Sequence, residues 1–253
     1  FGTIDVQNSN FNTHELASEY QPEKPIIRVL LPDHYESSKS YRVLYVLPVE
    51  AGTGERWGDP IGEVRRHDLH NKYQLICVFP TFAQLPWYAD HPTDISIRQE
   101  SFLLTIVLPF IEKTYATTNK RQDRLLVGFS KSGWGAFSLL LRHPDVFERA
   151  AAWDAPLMMD APGQYGSGPI FGTDGNFQKY QVSALLKKQA KLFDDKHRLI
   201  SLGYDNFREH HLQIHALMSE LKIAHIHRDG PQRKHHWNSG WLPEAVELLV
   251  KPN

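Results

Sequence analysis

The sequence predicts an α/β fold in which a mostly parallel sheet carries helices on both faces. Short β-branched apolar runs alternate with longer stretches whose apolar residues recur at helical spacing, the pattern of strands joined by crossover helices. A chain of 253 residues fits one large domain around a single sheet. A hydrophobic fraction of 41% and a charged fraction of 23% are ordinary for a globular protein and speak against disordered, fibrous or coiled-coil structure.

Taken in order, residues 26–31, 43–47 and 75–79 read as strands. They precede any clear helix, which predicts an antiparallel start to the sheet. Residues 101–115 read as a helix kinked by Pro109, 125–127 as a strand and 135–142 as a helix. After the apolar run 150–153 comes the one stretch that breaks the alternation. Residues 158–180 hold Gly163, Gly166, Gly168, Gly172 and Gly175 with Pro162 and Pro169, too irregular for a helix. A loop of that length in a compact domain is usually functional, and this one is expected to fold over the mouth of the site and select the substrate. The chain then resumes with a strand at 199–202, a helix at 207–221, a strand at 223–226 and a helix at 242–250.

Several function classes are excluded early. The 28 Lys and Arg balance 29 Asp and Glu, leaving no basic surplus to attract phosphate backbones, so nucleic acid is not an expected partner. There is no run of eighteen apolar residues to span a membrane. The N-terminus, Phe1-Gly2-Thr3-Ile4-Asp5, lacks the regions of a signal peptide and begins without Met. The expected compartment is cytoplasmic, or secreted after removal of an upstream segment. The single cysteine, Cys77, lies in an apolar run and reads as a core residue with no intrachain disulfide.

The most informative run is Leu125-Leu126-Val127-Gly128-Phe129-Ser130-Lys131-Ser132-Gly133-Trp134-Gly135-Ala136, a strand, a sharp turn and a helix. A serine on such an elbow occupies a strained backbone conformation and needs small residues two before and two after it. Gly128 and Ser132 fill those places, Ser132 standing where a second glycine is usual. Ser130 is therefore the expected nucleophile. The backbone N–H of Lys131 is positioned to stabilise an oxyanion.

From about residue 24 to residue 250 the chain resembles the putative-esterase (esterase D-like) family of α/β-hydrolases, which includes S-formylglutathione hydrolase, feruloyl esterases, enterochelin esterases and mycolyltransferases. Besides the elbow, the resemblance rests on Pro86-Trp87-Tyr88-Ala89-Asp90, similar to the family's Trp-Tyr-x-Asp segment. It rests also on His143-Pro144-Asp145-Val146-Phe147, similar to its His-Pro-Asp-x-Phe segment. It implies the α/β-hydrolase fold, with acid and then histidine on loops downstream of the serine. Asp205, in the glycine turn after 199–202, falls where the family carries its acid; Asp154, one strand earlier, is the rival. His235 in Lys234-His235-His236-Trp237 matches the family's His-x-Trp, with His236 as the alternative base.

The resemblance also implies a second oxyanion donor on the loop after 43–47. The family's His-Gly is replaced there by Pro48-Val49-Glu50-Ala51-Gly52, which makes the Glu50 N–H the donor. Trp87, Tyr88, Trp134, Trp237 and His236 lie near the predicted catalytic loops and are expected to line a substrate pocket. His211 and His215 stand one helical turn apart, but Leu212 occupies the place where a zinc-protease motif needs Glu, so no metal is expected. No phosphate-binding fingerprint implies a nucleotide cofactor, and none is expected. The expected activity is serine-dependent hydrolysis of a small-molecule or carbohydrate ester through an acyl-enzyme. Acyl transfer on the same fold and a catalytically silent binding domain are the alternatives.

Overall fold

The computed structural model describes residues 10–251; the N-terminal residues weighed above for a leader lie outside them. Eight strands form one sheet: β1 (Phe11–Glu15), β2 (Ile26–Leu30), β3 (Arg42–Val46), β4 (Leu75–Pro80), β5 (Arg124–Phe129), β6 (Arg149–Trp153), β7 (Leu199–Leu202) and β8 (His225–Arg228). Their spatial order is β1-β2-β4-β3-β5-β6-β7-β8. β2 pairs antiparallel with both β1 and β4, the expected antiparallel start, but β3 and β4 are joined through the helix Pro60–Arg66, which the sequence did not reveal, and pair parallel, as do all later strands. This is the α/β-hydrolase architecture. β1 escaped the sequence reading because Phe11-Asn12-Thr13-His14-Glu15 holds a single strongly apolar side chain, enough for an edge strand.

Alternation along each strand feeds two cores. On β5, Leu126 enters one apolar cluster, while Leu125, Val127 and Phe129 enter the other; β6 divides likewise, with Ala150 and Ala152 against Ala151 and Trp153. The first cluster is covered by the helices Ser130–Arg142, Val182–Gln189 and Arg208–Glu220, the second by Pro60–Arg66 and Trp241–Val250. Helices thus cover both faces. Cys77 belongs to the second cluster, and burial pushes its thiol pKa up.

The helical segment around Pro109 runs through Gln99–Phe102, a π-turned stretch Leu103–Val107 and Leu108–Thr114. Pro109 cannot donate to the preceding turn, and the wider π turns lie immediately before it. Residues 158–180 are not a free loop. They contain the short helices Gly168–Phe171 and Asp174–Gln178, and they bury Met159, Ile170, Phe171, Phe177 and Tyr180 in the first core. Among the described residues no helix is long and apolar enough to cross a membrane.

The sheet register sets the site. Phe129 lies opposite Trp153, and Trp153 opposite Leu202, so β5, β6 and β7 end in one row. The next residues, Ser130, Asp154 and Gly203, therefore leave the sheet side by side at the carboxyl edge, where ligands of open α/β sheets bind.

Candidate active site

Ser130 is the first residue of the helix Ser130–Arg142 and has φ of 51°, a conformation unusual for a non-glycine residue. The surrounding residues make that strain tolerable. A Cβ on Gly128 would lie 2.5 Å from the carbonyl oxygen of Ser132, so position 128 admits only glycine without a shift. The Ser132 hydroxyl accepts from the Phe129 N–H at 3.1 Å and donates to the Phe129 carbonyl at 2.9 Å, closing the elbow in place of the usual glycine. The close approach of helix to sheet has moved to Gly133, whose Cβ would meet those of Ala155 and Ala152 at 2.8 and 3.1 Å.

His235, on the loop after β8, approaches the row of strand ends from above. Its Nδ1 lies 2.5 Å from Asp154 Oδ2, while its backbone N–H donates to Asp205 Oδ2 at 3.0 Å. The structure therefore departs from the expected pairing: the imidazole meets Asp154, and Asp205 holds the main chain of the histidine. The cause is the register. Asp154 leaves β6 directly beside Ser130, is fully buried and has φ of 40°. The turn after β7 folds over it because Gly203, with φ of 152°, has no Cβ to strike the Asp154 nitrogen, which would be 2.6 Å away. That turn supplies the N–H groups of Phe207 at 2.7 Å and Asn206 at 3.3 Å to the Asp154 carboxylate. A buried carboxylate loses several kcal/mol of hydration unless such donors replace water. With Nδ1–H donated to Asp154, Nε2 is left as the basic nitrogen of His235.

Three aromatic rings enclose the imidazole: Phe129 and Trp57, each with centroids 5.1 Å away, and Phe207 at 5.8 Å. The Ser130 hydroxyl makes no hydrogen bond among the described residues. The N–H of Lys131 belongs to the first turn of its helix, which no intrahelical carbonyl satisfies. The Glu50 loop is held by two contacts: the Tyr88 hydroxyl donates to the Pro48 carbonyl at 2.6 Å, and the Gly52 N–H donates to the Phe82 carbonyl at 2.7 Å. The Glu50 side chain folds back over its own loop, with Cβ and Cδ 3.1 and 3.3 Å from where a Gly54 Cβ would stand.

The residues expected to line a pocket behave differently. Trp87, Tyr88 and Trp134 are fully buried and Trp237 is 2% exposed, so they form the wall behind the site and offer no surface to a substrate. Trp87 packs on Trp134, and the Tyr88 ring lies against Gly135, where a Cβ would come within 2.0 Å of it. Trp237 packs on Phe129 and Trp153. His236 is half-buried against Gly58, and its Nδ1 accepts from the Asn238 N–H at 3.2 Å. It thus braces the loop carrying Trp57, while the imidazole that meets Asp154 is that of His235.

The exposed rim joins Tyr165, part of the segment expected to select the substrate, to Phe207 and Leu85, which the sequence did not single out. Phe207 touches Tyr165 of the 158–180 segment at 5.1 Å, and Gly166 beside it faces Leu85. Tyr165 and Leu85 are 48% and 42% exposed. His211 lies directly beneath Asp154: its Nε2 accepts from the Ala155 N–H at 2.7 Å, so its Nδ1–H faces Ser201 Oγ at 2.8 Å. Burial drives its pKa down to about 3. Among the described residues no group of three or more His, Cys, Asp or Glu side chains is arranged to hold a metal ion.

Comparison with known proteins agrees with this architecture. A structure of S-formylglutathione hydrolase from Agrobacterium tumefaciens superposes with a TM-score of 0.77 at 16% identity, covering 99% of both chains. The fluorophosphonate-binding serine hydrolase F of Staphylococcus aureus gives 0.75 at 17% identity over 96% of this chain and 98% of its own. A ferulic acid esterase from Anaeromyces mucronatus gives 0.63 at 16% identity, over 98% and 92%. At such identities the likeness is one of fold. In sequence, an esterase of Mycobacterium tuberculosis is 31% identical over 137 residues, 52% of this chain but only 29% of that relative. Residues 87–241, more than half of the chain, match the family described as "Putative esterase". The chain therefore has the α/β-hydrolase fold and belongs to the family described as "Putative esterase".

Proposed function

We propose that this chain hydrolyses carboxylic esters through an acyl-enzyme, with Ser130 as nucleophile, His235 as base and Asp154 as acid. The observation that carries the reading is the aligned row of strand ends, which sets a strained Ser130 beside the Asp154–His235 pair. In the first step His235 Nε2 takes the Ser130 proton as Oγ attacks the acyl carbonyl. Asp154 holds the tautomer and steadies the imidazolium. The backbone N–H groups of Lys131 and Glu50 receive the developing oxyanion, the Glu50 side chain lying against Gly54. Protonated His235 then gives its proton to the leaving alcohol. Water repeats the sequence on the acyl-enzyme, releasing the acid and free Ser130.

The substrate reading is an acyl or phenolic ester of small-molecule or carbohydrate type. Its support is the rim of Leu85, Tyr165 and Phe207, which offers apolar and aromatic surface beside His235. The 158–180 segment contributes to selection chiefly through the exposed Tyr165, since Met159, Ile170 and Phe171 are core and Met158 is half-buried against it. The test is covalent. A fluorophosphonate probe is expected to label the protein at Ser130 and to fail on Ser130→Ala. Absence of labelling, together with no turnover of para-nitrophenyl esters, would leave a silent binding domain. Product analysis with added alcohol separates hydrolysis from acyl transfer.

A further inference from the structure

Two cations lie next to the proposed catalytic residues, one along the chain and one through an aromatic ring, and neither forms an ion pair among the described residues. Lys131 follows Ser130 in the elbow and is half-buried, yet among the described residues its ammonium has neither an ion pair nor a hydrogen bond. Arg56 is exposed, and its guanidinium lies 4.9 Å over the Trp57 ring, which in turn meets His235 edge-on at 5.1 Å. It too makes no ion pair among the described residues. One cation thus adjoins the nucleophile along the chain, and the other reaches the base through a single aromatic ring. Glu50, close enough to act on Lys131, is folded against Gly54 and pairs with neither cation.

A half-buried ammonium loses hydration that, among the described residues, no hydrogen bond replaces and the charge of Glu50 offsets only in part. Burial accordingly lowers the Lys131 pKa, with Glu50 acting against the fall and Arg56 adding to it. An arriving anion would change that balance, because a charge-assisted hydrogen bond in a partly desolvated site is stronger than a neutral one. An exposed Arg56 contributes less by itself but shares the same ligand.

We propose that the site selects esters bearing an anionic group, a carboxylate, sulfate or phosphate, held by Lys131 Nζ and the Arg56 guanidinium. This rests on the ester-hydrolase reading above. It is tested with charge-matched pairs that put the anion on either side of the ester. Para-acetoxybenzoate against its methyl ester places it on the alcohol, and mono-para-nitrophenyl adipate against para-nitrophenyl hexanoate places it on the acyl group. In one pair, the anionic-to-neutral ratio of kcat/KM is expected to fall about tenfold in Lys131→Met and by a smaller factor in Arg56→Met. In the wild type the same ratio should fall as ionic strength rises. Using the ratio within each variant removes any general loss from disturbing the Lys131 backbone, and exposed Arg56→Met keeps the test open if Lys131→Met does not fold. Ratios unchanged in both pairs and both variants, with neutral esters still turned over, overturn the anion site alone and make Lys131 a packed stem. Failure of all four esters together with no fluorophosphonate labelling overturns both readings.

Discussion

The floor of the site and its rim are built on different physics. The floor is the row of strand ends, where Ser130 is 6% exposed and Asp154 is fully buried, each fixed by sheet register and by backbone hydrogen bonds. The rim is made of Leu85, Tyr165, Phe207, Arg56 and Trp57, exposed or half-buried side chains on loops. The floor leaves little freedom to the groups proposed to move protons, while the rim can vary without disturbing the sheet. Changes in the floor should therefore act on kcat, and changes at the rim on the choice among substrates.

The largest expected effect is at the nucleophile. Ser130→Ala should lower kcat for any accepted ester by at least about a thousandfold. Its thermal unfolding should match the wild type, since a smaller side chain at the elbow adds no clash. Activity near the wild-type level in a steady-state assay would remove Ser130 from the floor altogether.

The next effect separates the two carboxylates around His235. Asp154→Asn should cost about a thousandfold or more in kcat, because an amide cannot both keep the tautomer and balance the imidazolium. Asp205→Asn should cost less than about tenfold, because its amide oxygen still accepts from the His235 N–H. Equal or reversed losses in paired kinetics would return the acid to Asp205.

That pair also shows where the sequence stopped being readable. The elbow was legible because strand, Gly128, Ser130 and helix are contiguous. Which carboxylate meets the imidazole was not, since Asp154 and Asp205 both follow strands and both precede the histidine. What decides between them is the row Phe129, Trp153, Leu202 and the positive φ of Gly203, neither of which is written in local pattern. The tryptophans near the motifs were legible as neighbours of the site but not as buried or exposed. Trp57 and Phe207, which do reach His235, sit in segments with no motif of their own.

A smaller effect tests the layer under the floor. Burial lowers the pKa of His211 to about 3 and of His227 to about 4, from 6.5. The unfolded chain therefore binds more protons at these sites than the folded one as pH falls below the unfolded value. Their contribution to stability is full above about pH 6.5 and is lost progressively toward pH 4 and below. Urea midpoints should fall through that window, and replacing His227 with Gln should flatten the slope. A slope unaffected by that change would exclude His227 from the effect.

The smallest expected effect is at the rim. Tyr165→Ala should alter the relative kcat/KM among acetyl, butyryl and feruloyl esters by a few-fold, leaving melting temperature within about 2 °C, as for an exposed side chain away from the core. An unchanged ranking would make the segment a structural strap only.

The buried thiol has a practical consequence. Cys77 is the single cysteine of the chain, sealed between the sheet and its helices, and its raised pKa keeps it in the unreactive protonated form. Maleimides should pass the native protein by. A cysteine placed at position 165 would then be the one addressable thiol, and a fluorophore attached there would report ligand arrival at the rim without a background signal.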